Sequence, residues 1–173
     1  MSSGFGQSIW EVYNTLIMRV DFINPFINAT RQMMLMMAGI KEFRKAELLA
    51  EHELKAAFDV SAVIGLTGAA NGTIVLSFTE TIASEIMARL VGEPVTVFDR
   101  SVCDAVGEMV NIIVGSASAE LSRGTNTIIE RSIPSVVLGR GHRIHHPANI
   151  PCINIFFHTE VGEFAMQVSF KSN

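Results

Sequence analysis

Cysteine is scarce: the 173 residues hold two, Cys103 and Cys152, far apart and without a C-x-x-C pair. That spacing excludes a disulfide framework and a C-x-x-C metal or redox motif, and two buried free thiols in a reducing cytoplasm is the economical reading. No run of 18 apolar residues occurs, so no transmembrane helix is expected, and the N-terminus lacks the basic start and long apolar stretch of a signal peptide. A basic surplus is missing too. The formal net charge is −4, against the clustered Lys and Arg that phosphate-backbone binding requires, so nucleic acid is not the expected ligand. Gly65, Gly68 and Gly72 are followed by no GK[ST] and are turn and packing glycines, not a nucleotide loop. The one Trp and one Tyr both fall within Met1 to Ile17, a stretch set apart here as an N-terminal extension of unknown role (1–17), with the folded domain at 18–173.

Apolar residues, by contrast, are plentiful. They make up 49% of the chain and its mean hydropathy is +0.35, enough for one domain with a real core and some apolar surface kept for a partner or a second copy. Asn24-Pro25 has the form of an N-cap followed by a first-turn proline, opening a helix through Phe26, Ile27, Met33, Met34, Met36 and Met37 that Gly39 closes. A strand is expected around Lys45–Ala50. Two β-rich runs, Ser61–Thr67 and Thr73–Phe78, flank a Gly-rich turn and read as a hairpin. Thr79 or Thr81 caps a second helix that Gly92 ends. Asp99 or Ser101 caps a third, running from Val102 to Leu121 with Gly124 as its stop. Strands follow at Ser135–Leu138, Cys152–His158 and Glu163–Phe170. Strands grouped in hairpins, not alternating singly with helices, predict an α+β fold of two layers, long helices on a mostly antiparallel sheet. Thr67 with Ser77-Phe78 is echoed by Thr159 with Ser169-Phe170, which hints at an internal duplication.

On a helical wheel the third helix divides. Val102, Val106, Val110, Ile113, Ala117 and Leu121 gather on one side, which faces the core. Asp104, Glu108 and Asn111, at i, i+4 and i+7, gather on the other, with Gly107, Gly115 and Ser118 beside them. Each mid-helix glycine costs about 1 kcal/mol relative to alanine, so close approach by another surface is the reason expected for them. Spacing alone also fits an ordinary solvated face, with Asp104 as an early-turn acid favoured by the helix dipole. Elsewhere, His142, His145 and His146 lie with Arg140 and Arg143 in a segment, Gly139–Pro147, that reads as a solvated basic loop. No acid or cysteine stands nearby at a spacing that would complete a zinc site.

Asp104-x3-Glu108-x2-Asn111, followed after 22 residues by Pro134, resembles the signature of the CheC, CheX and FliY chemotaxis phosphatases. Asn24-Pro25-Phe26-Ile27 is similar to the usual CheX opening, and Ile64-Gly65-Leu66-Thr67-Gly68 with Gly72 looks like the family's central hairpin, so the resemblance runs from Met18 to Phe170. CheC-type members carry the Glu/Asn pair on two helices. The first helix here reads Asn28-Ala29-Thr30-Arg31-Gln32, without such an acid, and so favours CheX.

The resemblance implies a cytoplasmic phosphatase that removes the phosphoryl group from the aspartate of a CheY-like response regulator. It implies that Asn111 orients the attacking water. Glu108 is implied to contact the partner, by pairing with the lysine beside its phosphoaspartate or by helping to polarise the water. Asp104, with Gly107, Gly115 and Ser118, is expected on the docking face, and Pro134 is expected to fix where the next strand begins. The chain needs no metal or cofactor of its own, because the Mg²⁺ belongs to the receiver. A homodimer joined through the sheets is also implied. The rival reading is a non-catalytic module of the same fold that docks a receiver or a flagellar-switch component. A small-molecule enzyme would need a nucleophile or cofactor motif that is not recognisable in the chain.

Overall fold

The computed structural model describes residues 9–49, 57–95, 98–125, 128–146 and 152–172. Residues 1–8 of the expected extension, Ala50 at the end of the expected first strand and Pro147 at the end of the histidine segment lie outside them.

The first helix, α1 (Ile9–Ala38), runs straight through the expected start at Asn24-Pro25. A proline inside a helix forfeits one backbone hydrogen bond and crowds the preceding turn, costing roughly 3 kcal/mol. Packing of the surrounding turn opposes that cost: Ile23 and Phe26 are buried, and the Phe22 ring packs against that of Phe170 in a tilted arrangement, centroids 4.0 Å apart. The boundary expected after residue 17 falls inside this helix. Gly39 ends it as expected, with a left-handed φ of 63°, and Ile40 N–H donates to Met34 O at 3.1 Å. The methionines divide. Met33 and Met34 are buried, whereas Met36 is 82% exposed in the final turn.

Strands β1 (Phe43–Leu49), β2 (Phe58–Gly68) and β3 (Ala70–Phe78) come next, then α2 (Glu80–Val91), capped by Thr79 Oγ1 and closed by Gly92 at φ 79°. α3 (Arg100–Thr125) follows, then β4 (Ile129–Arg131), β5 (Ser135–His142), β6 (Cys152–Thr159) and β7 (Gly162–Ser172). α3 passes through Gly124, which therefore does not stop it. β4 was not foreseen: three residues are too few to show a period. β5 carries on past Leu138 and takes Arg140 and His142 out of the expected loop.

All described pairings are antiparallel, in the order β1-β6-β7-β3-β2, with β4 and β5 both lying along the free edge of β2. The fold is thus α+β, with the three helices on the sheet face that carries Val60, Ile64, Ile74, Leu76, Met166 and Val168. The other face is mixed: Ser61 and Ser77 share a 2.7 Å hydrogen bond and Gln167 Nε2 donates to Asn154 Oδ1 at 2.9 Å, beside a small apolar cluster of Phe58, Phe156 and Ala165. The two hairpins that carry the sequence echo stand side by side through the β3–β7 pairing, in which Val75 faces Gln167, its own counterpart in the echo. At Gly72 any Cβ would overlap Ser169 O, so glycine is what lets β3 and β7 close.

Candidate functional site

Asp99 starts α3. Its Oδ1 accepts from the Ser101 backbone N–H at 2.8 Å and from the Ser101 hydroxyl at 2.6 Å. The hydroxyl bond is the main reason its pKa lies below the usual aspartate value. Val102, Val106, Val110, Ile113 and Ala117 are buried as the wheel predicts, which locks the helix onto β2, β5 and α1. α3 is also long and apolar enough, by length and composition, to cross a membrane. With half of that stretch buried inside this fold, it is the core helix of the domain.

The outer face of α3 presents Asp104 and Glu108 exposed and Asn111 half-buried, successive turns of one rod. Beside it runs the β4–β5 connection, which sets the shape of the site. Ser132 pins that connection to β2: its backbone N–H donates to Gly65 O at 2.9 Å, and its Oγ accepts from Gly65 N–H at 2.9 Å. At one end Pro134 and Val136 lie against Gly107. Pro134 immediately precedes β5, so the 22-residue gap between Asn111 and the proline is the path that returns the chain to the flank of the same helix. At the other end the Arg131 guanidinium lies over Gly115, and its Nε donates to Asn111 Oδ1 at 3.1 Å. Ile133, between them, is 88% exposed. An open groove of about 760 Å³ runs along the seam between α3 and α1, lined by Gln32, Gly115, Ser116, Glu120 and Arg123 among others.

The structure thus brings Asp104, Glu108 and Asn111 together on accessible surface. It does not do so for two of the residues expected beside them. Gly107 is buried under this chain's own β5, and Ser118 is 5% exposed, with no hydrogen-bond partner for its hydroxyl among the described residues. The close approach that Gly107 serves is intramolecular. Gly115 keeps some surface, at the groove and under Arg131. Arg131 itself was missed, because its only signal is a basic residue three before Pro134 in a strand too short to recognise.

The other candidates fall apart spatially. His142 Nε2 pairs with Ser61 Oγ at 2.7 Å and its Nδ1 with Gly139 O at 2.6 Å, while His146 Nδ1 lies 3.3 Å from Thr73 Oγ1. No group of three His, Cys, Asp or Glu that could hold a metal occurs among the described residues. Burial raises the Cys152 thiol to about 11 and, with help from Asp104 and Asp99, also raises Cys103, so neither is an activated nucleophile. What the outer face of α3 offers is an acid and an amide on a stiff support, able to orient a water or meet a cation.

A family model described as chemotaxis phosphatase CheX matches residues 60–158. A CheC-like superfamily protein from Shewanella sp. PV-4 is 31% identical, with a TM-score of 0.82 over 88% of this chain and 99% of that one. The chemotaxis protein CheX from Desulfovibrio desulfuricans is 34% identical, with a TM-score of 0.78 over 87% and 99%. The CheX of a CheX–CheY–BeF3–Mg²⁺ complex from Borrelia burgdorferi shares the fold at 20% identity, with a TM-score of 0.77 over 89% and 100%. No curated protein matches.

Proposed function

The chain belongs to the chemotaxis phosphatase CheX family, and from that premise we propose that it hydrolyses the aspartyl phosphate of a CheY-like response regulator. The observation that carries this reading is the placement of Glu108 and Asn111 one turn apart on the accessible side of a helix whose other side is locked into the core. The Borrelia burgdorferi relative, held with CheY, BeF3 and Mg²⁺, supports a receiver as the partner.

An aspartyl phosphate is an acyl phosphate. Its hydrolysis needs a water in line with the breaking P–O bond and stabilisation of charge on the transferring group. The Mg²⁺ comes with the receiver as part of the substrate and meets the charge there. The task left to this chain is to place the water, and the Asn111 carboxamide does this as α3 enters the receiver's active site. An amide suits the role because it donates and accepts hydrogen bonds with no change of protonation. Glu108, exposed one turn earlier, pairs with the lysine beside the phosphoaspartate, and Asp104 extends the docking face. In this reading the reaction takes place in the cytoplasm, and the chain acts as a homodimer.

Phosphate release from phosphorylated receivers, measured with and without the chain, tests the proposal. Accelerated release from at least one receiver is expected. Tight binding without acceleration would instead make the chain a docking module.

A further inference from the structure

We propose that Arg131 is a positioning residue for Asn111, setting which end of the carboxamide faces the phosphoryl group. The proposal rests on the phosphatase reading above and extends it to a residue outside the Asp104–Glu108–Asn111–Pro134 pattern.

The bond between Arg131 Nε and Asn111 Oδ1, at 3.1 Å, is informative because of what arginine cannot do. A guanidinium only donates, so the amide atom that faces it must be the oxygen. The amide nitrogen, on the other branch of the group, is then turned away from Arg131. An asparagine on an open helix face would otherwise sample both orientations, because the two ends of the amide differ little in size. A cation at Oδ1 also polarises the amide and strengthens its N–H groups as donors. One Oδ1 lone pair is taken by Arg131. The other can accept from a water, and the Nδ2 hydrogens remain to donate to a water or a phosphoryl oxygen.

Arg131 is itself held for this task. β4 pairs with β2 at Leu66↔Arg131, and the next residue, Ser132, is bonded to Gly65 through both its backbone and its hydroxyl. The guanidinium lies over Gly115, with the Arg131 Cζ and both Nη atoms 3.5 Å from where a Cβ would stand, an ordinary contact distance. One rigid element thus carries the asparagine and a second rigid element carries the group that orients it.

The test combines turnover with a direct reading of the amide. Arg131→Ala is expected to lower kcat about tenfold, a moderate loss for a misoriented positioning group, with KM for the phosphorylated receiver nearly unchanged. Arg131→Lys, which lacks the fork, should recover only part of that loss, and added guanidinium should restore turnover to the alanine variant. In ¹⁵N–¹H spectra the Asn111 side-chain NH₂ pair should shift in Arg131→Ala. Wild-type turnover in Arg131→Ala, or unmoved Asn111 NH₂ signals, would overturn the proposal. A wild-type chain inactive on every receiver would defeat the phosphatase reading instead, and the NH₂ signals alone would then decide whether Arg131 orients the amide.

Discussion

Gly107 on α3 and Val136 on β5 stand so close that a Cβ built on the glycine would lie 3.2 Å from the valine Cγ2. The helix that carries the candidate site is therefore clamped by the strand that follows it. A bulky side chain at 107 has to push β5 or the helix aside. Gly107→Val is expected to destabilise the domain by about 1–3 kcal/mol, the usual penalty for overpacking a close contact, as measured by urea unfolding. Unchanged stability would mean that the contact is slack.

Ser118 presents the opposite case, a polar group where none is needed. Its hydroxyl is buried without a partner among the described residues. Ser118→Ala should raise stability by about 1 kcal/mol, since an unpaired buried hydroxyl carries a desolvation cost. Receiver dephosphorylation should not change. Lost turnover at unaltered stability would return Ser118 to the docking face.

Glu160 ties three elements together. Its carboxylate accepts from the Glu42 backbone N–H at 2.7 Å, from the Lys41 N–H at 3.2 Å and from the Arg89 guanidinium at 3.0 Å. These bonds, Glu42's foremost, hold its pKa below that of an ordinary glutamate. A carboxylate lowered on folding contributes stability that is fully present above its unfolded pKa, about 4.3, and is lost as pH falls through the lower folded value. Glu160→Gln should therefore reduce stability at neutral pH and flatten the acid limb of the stability profile below about pH 4. A variant with the same acid limb as wild type would refute the assignment.

Glu108 is exposed beside the amide. Glu108→Ala should leave thermal unfolding unmoved and weaken affinity for the phosphorylated receiver several-fold, as loss of one interfacial charge pair does. Equal affinity by titration calorimetry would remove its proposed contact with the receiver's lysine.

How far the sequence reached can be judged from particular residues. Gly39 and Gly92 were legible, and Thr79 and Asp99 were each narrowed to one of two candidates, because caps act locally: a side-chain oxygen or a left-handed φ works within four residues of where it stands. The core face of α3 was legible because its period holds over five turns. Asn24-Pro25 misled because the same two residues that suit a helix start are tolerated mid-helix where tertiary packing offsets the lost bond, and that packing, with Phe170, comes from the far end of the chain. Gly107 misled for a related reason. Mid-helix glycine reveals that something comes close, but whether a partner or the chain's own β5 is decided by a contact 29 residues further on, between Gly107 and Val136. The Asp104–Glu108–Asn111 strip was visible because one helix supplies all of it. Arg131 was not, because only the return of β4 along β2 brings it back to the same helix.

The role proposed for Asn111 is to place the water that attacks a receiver's phosphoaspartate. Its most direct test is phosphate release from a phosphorylated receiver under Asn111→Ala, with binding of the same receiver measured alongside. Turnover close to the receiver's own rate, with affinity retained, is the predicted result, and a variant that keeps most of its activity would contradict the account.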